Sequence, residues 1–101
     1  MTNPIKTIRE HVDPAELLAQ LAEEAAELTH AALKLRRTYS ATNPTTVSTI
    51  EAYKQLLEEV ADVNVCLNVL GYLDDADMLE IRRVTRAKLD RWVSRLEAKA
   101  E

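Results

Sequence analysis

Two short runs carry the residues best suited to chemistry: Glu23-Glu24-Ala25-Ala26-Glu27 and Glu58-Glu59-Val60-Ala61-Asp62. They match position for position. If both are helical, Glu24 and Glu27 project from one side of the first helix, and Glu59 and Asp62 from one side of the second. Two carboxylates about 4 Å apart repel by ~4 kcal/mol even at an effective dielectric of about 20. Four brought together therefore call for a cation. All-oxygen ligands suit a hard ion, Mg²⁺ or in its place Mn²⁺, which keeps several waters and completes its shell from a phosphate. Such a centre can clamp a polyphosphate and activate water for attack on phosphorus.

The elements that must position these groups can be read from the pattern. The stretch from Gln55 to Leu67 contains no Gly or Pro, and good helix formers fill its first half. At about 100° per residue, Leu56, Val60, Val63, Leu67 and Leu70 form one stripe. Glu59 and Asp62 lie beside it, in a row continued by Cys66 and Val69. The earlier run repeats this layout, with Leu18, Leu21, Ala25, Leu28, Ala32 and Leu35 as its stripe. Glu24 and Glu27 are displaced from that stripe in the same sense as their counterparts. In an antiparallel helical hairpin, a local two-fold axis puts equal displacements on the same side, so the four carboxylates converge.

Asp13-Pro14-Ala15-Glu16 is a helix start, with an N-cap, Pro at N1 and Glu at N3. The helix it opens is expected to run to about Arg37. A loop over residues 38–47, with Asn43-Pro44 as its turn signal, leads to a second start at Ser48-Thr49-Ile50-Glu51. That helix is expected to reach Leu70, with Gly71 as its stop. After a short connection, Asp75 or Asp77 caps a third helix running to about Ala98, with Met78, Ile81, Leu89, Trp92 and Leu96 as its apolar side. Ile5, Ile8 and Val12 suggest a peripheral turn or short helix, within residues 1–12, packed on the hairpin.

The 101 residues read as a single all-α domain: one Gly, three Pro and no Phe accompany abundant Ala, Leu and Glu. The second long helix is apolar around much of its circumference, and three helices leave it incompletely covered. A homo-oligomer, dimer or tetramer, is expected to complete a four-helix-type bundle. The net charge of −4 argues against a general nucleic-acid binder. No apolar run approaches the ~18 residues of a membrane span, the N-terminus lacks the apolar stretch of a secretory signal, and Cys66 has no partner cysteine. The simplest expectation is a soluble cytoplasmic protein. Basic residues crowd the end of the chain: Arg82, Arg83, Arg86, Lys88, Arg91, Arg95 and Lys99.

Glu23-Glu24-x-x-Glu27 followed by Glu59-x-x-Asp62 resembles the signature of the MazG-like, all-α nucleoside triphosphate pyrophosphohydrolases. The likeness covers about residues 13 to 98 and includes the order of elements: long helix, Asn-Pro loop, long helix, short turn, basic helix. It implies a Mg²⁺-dependent enzyme that cleaves the α–β phosphoanhydride of a nucleotide to monophosphate and pyrophosphate. It further implies Glu24, Glu27, Glu59 and Asp62 as metal ligands, Glu23 as an accessory ligand or base, and Lys88 and Arg95 as phosphate contacts. The segment between Glu27 and Glu59 is longer than usual for the family, and Trp92 stands where many members carry Asn. A phosphoribosyl-ATP-type substrate and a non-catalytic helical interaction module are the competing expectations. Glu27-Leu28-Thr29-His30 also reads as half of a di-iron Glu-x-x-His motif, but Val65 occupies the position where the second half needs His. His30 is then an exposed helix residue, Trp92 a core or interface residue, and Cys66 a packing residue.

Overall fold

A computed structural model describes residues 3–39, 42, 45–70 and 75–100. Helices are the only regular elements among these residues: α1 (Pro4–His11), α2 (Pro14–Thr38), α3 (Thr49–Leu70) and α4 (Asp75–Ala100). The chain divides into two compact units, Met1–Gly71 with α1 to α3 and Tyr72–Glu101 with α4. The all-α expectation is met. Asn43-Pro44, Gly71 and the connection before Asp75 lie outside the described residues.

Local chemistry explains the helix starts. Asp13 caps α2, its Oδ1 accepting from the Glu16 N–H at 2.9 Å, with Pro14 as the first helical residue. Ser48 Oγ accepts from the Glu51 N–H at 3.2 Å at the head of α3. Both follow from a side-chain oxygen satisfying a backbone N–H that the first turn leaves without a partner. Asn3 does the same for α1, its Oδ1 accepting from the Lys6 N–H at 3.3 Å, with Pro4 as the first helical residue. Neither Asp75 nor Asp77 caps α4 as expected: both fall inside its first turn, where negative charge suits the positive end of the helix dipole.

The hairpin of α2 and α3 carries the core. Its buried and half-buried positions in α2 include Leu17, Leu21, Glu24, Leu28, Ala31, Leu35 and Thr38. In α3 they include Ala52, Leu56, Glu59, Val63, Cys66, Val69 and Leu70. Leu17 to Thr38 follow alternating steps of four and three, the seam of helices packed nearly in line. Leu17, near the start of α2, shares a pocket with Cys66 and Val69, near the end of α3, so the two helices run antiparallel.

This seam keeps half of each expected stripe and corrects the rest. Leu18, Ala25, Ala32 and Val60 are exposed, whereas Leu17, Ala31, Ala52, Cys66 and Val69 are buried. Both helices are rotated so that the row carrying Glu24 and Glu59 lies on the seam itself. Leu21, Leu28 and Leu35 of the first expected stripe and Leu56, Val63 and Leu70 of the second remain on the seam, and the other half of each stripe falls beside it.

α1 lies against α3. Arg9 fastens it, donating from Nε to the carbonyl of Val69 and from Nη2 to that of Asn68, both at 3.0 Å. These carbonyls belong to the last turn of α3, where the helix supplies no N–H partners. In the second unit, α4 carries Arg83 paired with Glu80 and Arg86 paired with Asp90. Pairs this exposed contribute little to stability.

Candidate metal centre

Halfway along the hairpin, Glu24 of α2 faces Glu59 and Asp62 of α3. One carboxylate oxygen from each of the three lies within 4.8 Å of the others. Glu24 and Glu59 are half-buried because they occupy seam positions that would ordinarily be apolar. Asp62, one turn beyond Glu59, is exposed.

Glu59 is the strained member. Its Oε2 is buried and has no hydrogen-bond partner. Desolvation raises its pKa above the ordinary 4.5, and the neighbouring charges of Asp62, Glu24, Glu27 and Glu58 raise it further. A buried carboxylate oxygen without a donor is normally costly, and here the adjoining groups are anions. The donor set therefore fits a cation: oxygen ligands only, converging, with one lone-pair site unclaimed by the protein. Cys66, one turn past Asp62, is buried, and its thiol pKa is raised by burial and then by Glu24 and Asp62. It stays a neutral packing group, as expected.

Not every expected ligand joins the cluster. Glu27 is exposed and outside the triad, yet close enough for its charge to act on Glu59. Glu23 is exposed and outside the triad, so its accessory role is not visible in the geometry. Lys88 and Arg95 lie in the other unit, two turns apart along α4. His30 is exposed, as expected, and so is Trp92, which is therefore not a core residue.

Two residues escaped the sequence reading. Gln20 donates from Nε2 to Glu24 Oε1 at 2.9 Å, fixing one oxygen of a triad carboxylate. Its place one turn before Glu24 was the available signal. Arg9 is the other, and a lone Arg in a peripheral helix gives no signal of its distant carbonyl partners.

Beside the triad a pocket of about 410 Å³ opens between α1 and the hairpin, with Glu24 and Asp62 on its border. No described helix is long and apolar enough to cross a membrane. Compared with protein-family models, curated proteins and solved structures, the chain finds no match in any of the three.

Proposed function

We propose that the protein is a Mg²⁺-dependent nucleotide pyrophosphohydrolase of the MazG-like kind, cleaving the α–β phosphoanhydride of nucleoside triphosphates. The observation that carries this reading is the convergence of Glu24, Glu59 and Asp62 from two antiparallel helices, with Glu59 Oε2 buried and unpartnered. The order and spacing of the acidic motifs support it from the sequence side.

In this reading Glu24, Glu59 and Asp62 hold the ion, and Glu27 adds negative charge at the rim and becomes a ligand as the site closes on substrate. A bound Mg²⁺ supplies Lewis-acid polarisation of the phosphoryl oxygens and lowers the pKa of a coordinated water. Gln20 keeps one Glu24 oxygen oriented, which leaves its other oxygen for the ion. Glu23 is the proposed accessory base. Phosphate contacts are assigned to Lys88 and Arg95 on the resemblance alone. The same reading places the protein in the cytoplasm, acting on the nucleotide pool as a homo-oligomer.

The test is pyrophosphate and orthophosphate release from a panel of ribo- and deoxyribonucleoside triphosphates with Mg²⁺ or Mn²⁺. Wild type is expected to release pyrophosphate, and Asp62→Asn to lose at least about a hundredfold in kcat, the scale of removing one preorganised electrostatic group. Orthophosphate alone would overturn the α–β assignment. Full activity in Asp62→Asn and in Glu59→Gln would remove the site.

A further inference from the structure

The pocket between α1 and the hairpin differs in chemistry from the triad it adjoins. Ile8 of α1 and Val12, just past its end, line the pocket with Leu17 of α2 and Val65 and Val69 of α3, giving aliphatic walls. Its polar lining is mostly from α2, where Glu16 and Gln20 lead to Glu24, and α3 adds Asp62 at the border with the triad. Its volume, about 410 Å³, falls in the range of small-molecule sites, which are largely apolar with a few placed polar groups. Arg9 secures the outer wall through its two bonds to the last turn of α3. A ligand spanning triad and pocket would carry charge at one end and a flat, weakly polar body at the other.

We infer that this pocket receives the nucleobase of the nucleotide, an inference that rests on the reading proposed above. The phosphates meet the cation at Glu24, Glu59 and Asp62. The base lies between the end of α1 and α3, its faces against Val12, just past α1, and Val65. Its polar edge turns to Glu16 and Gln20, the former an acceptor only and the latter both donor and acceptor. Among the described residues the lining is aliphatic with no aromatic side chain, so those residues hold the base by aliphatic contact and edge hydrogen bonds. Gln20 then touches both halves of the site, since its amide already bonds Glu24.

The experiment is a methyl-detected NMR titration of the full chain with free nucleosides, without metal, so that neither phosphate binding nor turnover enters the readout. At least one nucleoside is expected to shift the Ile8, Val12, Val65 and Val69 methyls saturably. In Val65→Trp, which fills the pocket from an exposed position, the affinity is expected to fall by about tenfold or more while Mn²⁺ affinity stays within about twofold. Circular dichroism confirms that the variant remains helical. The pocket assignment is overturned if no nucleoside moves these methyls at millimolar concentration while Mn²⁺ still broadens signals around Asp62. It is equally overturned if the methyls respond only to protein dilution, which would make the pocket a contact between copies. Saturable nucleoside binding in a protein that releases no pyrophosphate from any nucleotide would support the pocket and overturn the proposed reaction instead.

Discussion

At the scale of single residues, Glu59 concentrates the tension in the molecule. It occupies a seam position where an apolar side chain would stabilise the hairpin, and its buried oxygen has no donor. Partial burial, followed by the charges of Asp62, Glu24, Glu27 and Glu58, pushes its pKa upward. A carboxyl whose pKa is higher folded than unfolded favours the folded state at low pH. That contribution disappears as pH rises through the raised value. Without divalent metal, wild type is therefore expected to lose stability from mildly acidic to neutral pH relative to Glu59→Gln. At neutral pH in EDTA the variant should melt at or above the wild-type temperature. Thermal melts of both proteins across that range, with and without Mg²⁺, provide the check. Mg²⁺ should raise the wild-type melting temperature and leave Glu59→Gln nearly unmoved, because only a ligand that binds the folded state adds stability. If Glu59→Gln is clearly less stable in EDTA, the carboxylate has a structural partner and the metal reading fails.

Gln20 acts on the same group from the other helix. Gln20→Leu keeps much of the side chain's bulk and removes the donor to Glu24. Loss of a bond to a charged group is worth roughly 1 kcal/mol when exposed, so Mn²⁺ affinity is expected to fall by about fivefold. Mn²⁺ titration followed by electron paramagnetic resonance reads it directly. Unchanged affinity would reduce the bond to an ordinary pair along a helix.

At the scale of elements, α1 depends on one side chain. It is eight residues long, too short to be stable alone in water. None of its residues is buried. Its attachment is the contact with α3 and the two Arg9 bonds to Asn68 and Val69. Arg9→Ala is expected to cost about 1–2 kcal/mol, the lower part of the range for bonds to a charged donor because the site is partly exposed. The loss should be local. Amide exchange in α1 should accelerate strongly while the middle of α2 and α3 keeps its protection. Uniform acceleration along the chain would mean that α1 belongs to the cooperative core.

Helix limits and helix faces were legible to different degrees, and the reason is physical. A start is encoded by a few adjacent residues, so Asp13-Pro14 and Ser48-Thr49 marked α2 and α3 correctly. The facing side depends on what the helix packs against. In α3 the apolar arc extends from Leu56 and Val60 round to Leu57 and Tyr53, so the periodicity identified an arc without selecting the part turned to α2. In both helices part of the expected stripe lies one position off the seam, as at Val60 against Glu59 in α3 and at Leu18 against Leu17 and Ala32 against Ala31 in α2. The carboxylates were recognisable because a displacement shared by two helices survives such a rotation. Arg9 was not, because its carbonyl partners lie some sixty positions away.

At the scale of the whole molecule, the seam correction leaves a surface to account for. Leu18 of α2, with Ile50, Tyr53, Leu57 and Val60 of α3, turns away from the carboxylates, and each is exposed. Tyr53 and Leu57 are each about half exposed, at 51% and 50%. Exposed apolar residues sharing one face of a hairpin are a typical interaction surface, and α3 is the element expected to need further cover. As part of the proposed function, a second copy of the chain supplies that cover, hairpin against hairpin, in a four-helix arrangement. Leu57→Lys places a charge in the middle of this face and touches nothing in the triad. Light scattering after size exclusion should then report a dimer or tetramer for wild type and a monomer for Leu57→Lys, both helical by circular dichroism. Two lysines brought together in an apolar two-fold contact oppose association by both desolvation and repulsion, so the dissociation constant should rise by at least about a hundredfold, or ~2.7 kcal/mol. A wild-type chain that is monomeric at high concentration would leave the face to another partner and remove the bundle. An oligomer unchanged by Leu57→Lys would move the interface elsewhere. Mn²⁺ binding measured on the monomeric variant then decides whether one hairpin suffices to hold the ion: retained affinity means that Glu24, Glu59 and Asp62 form a complete centre within each copy.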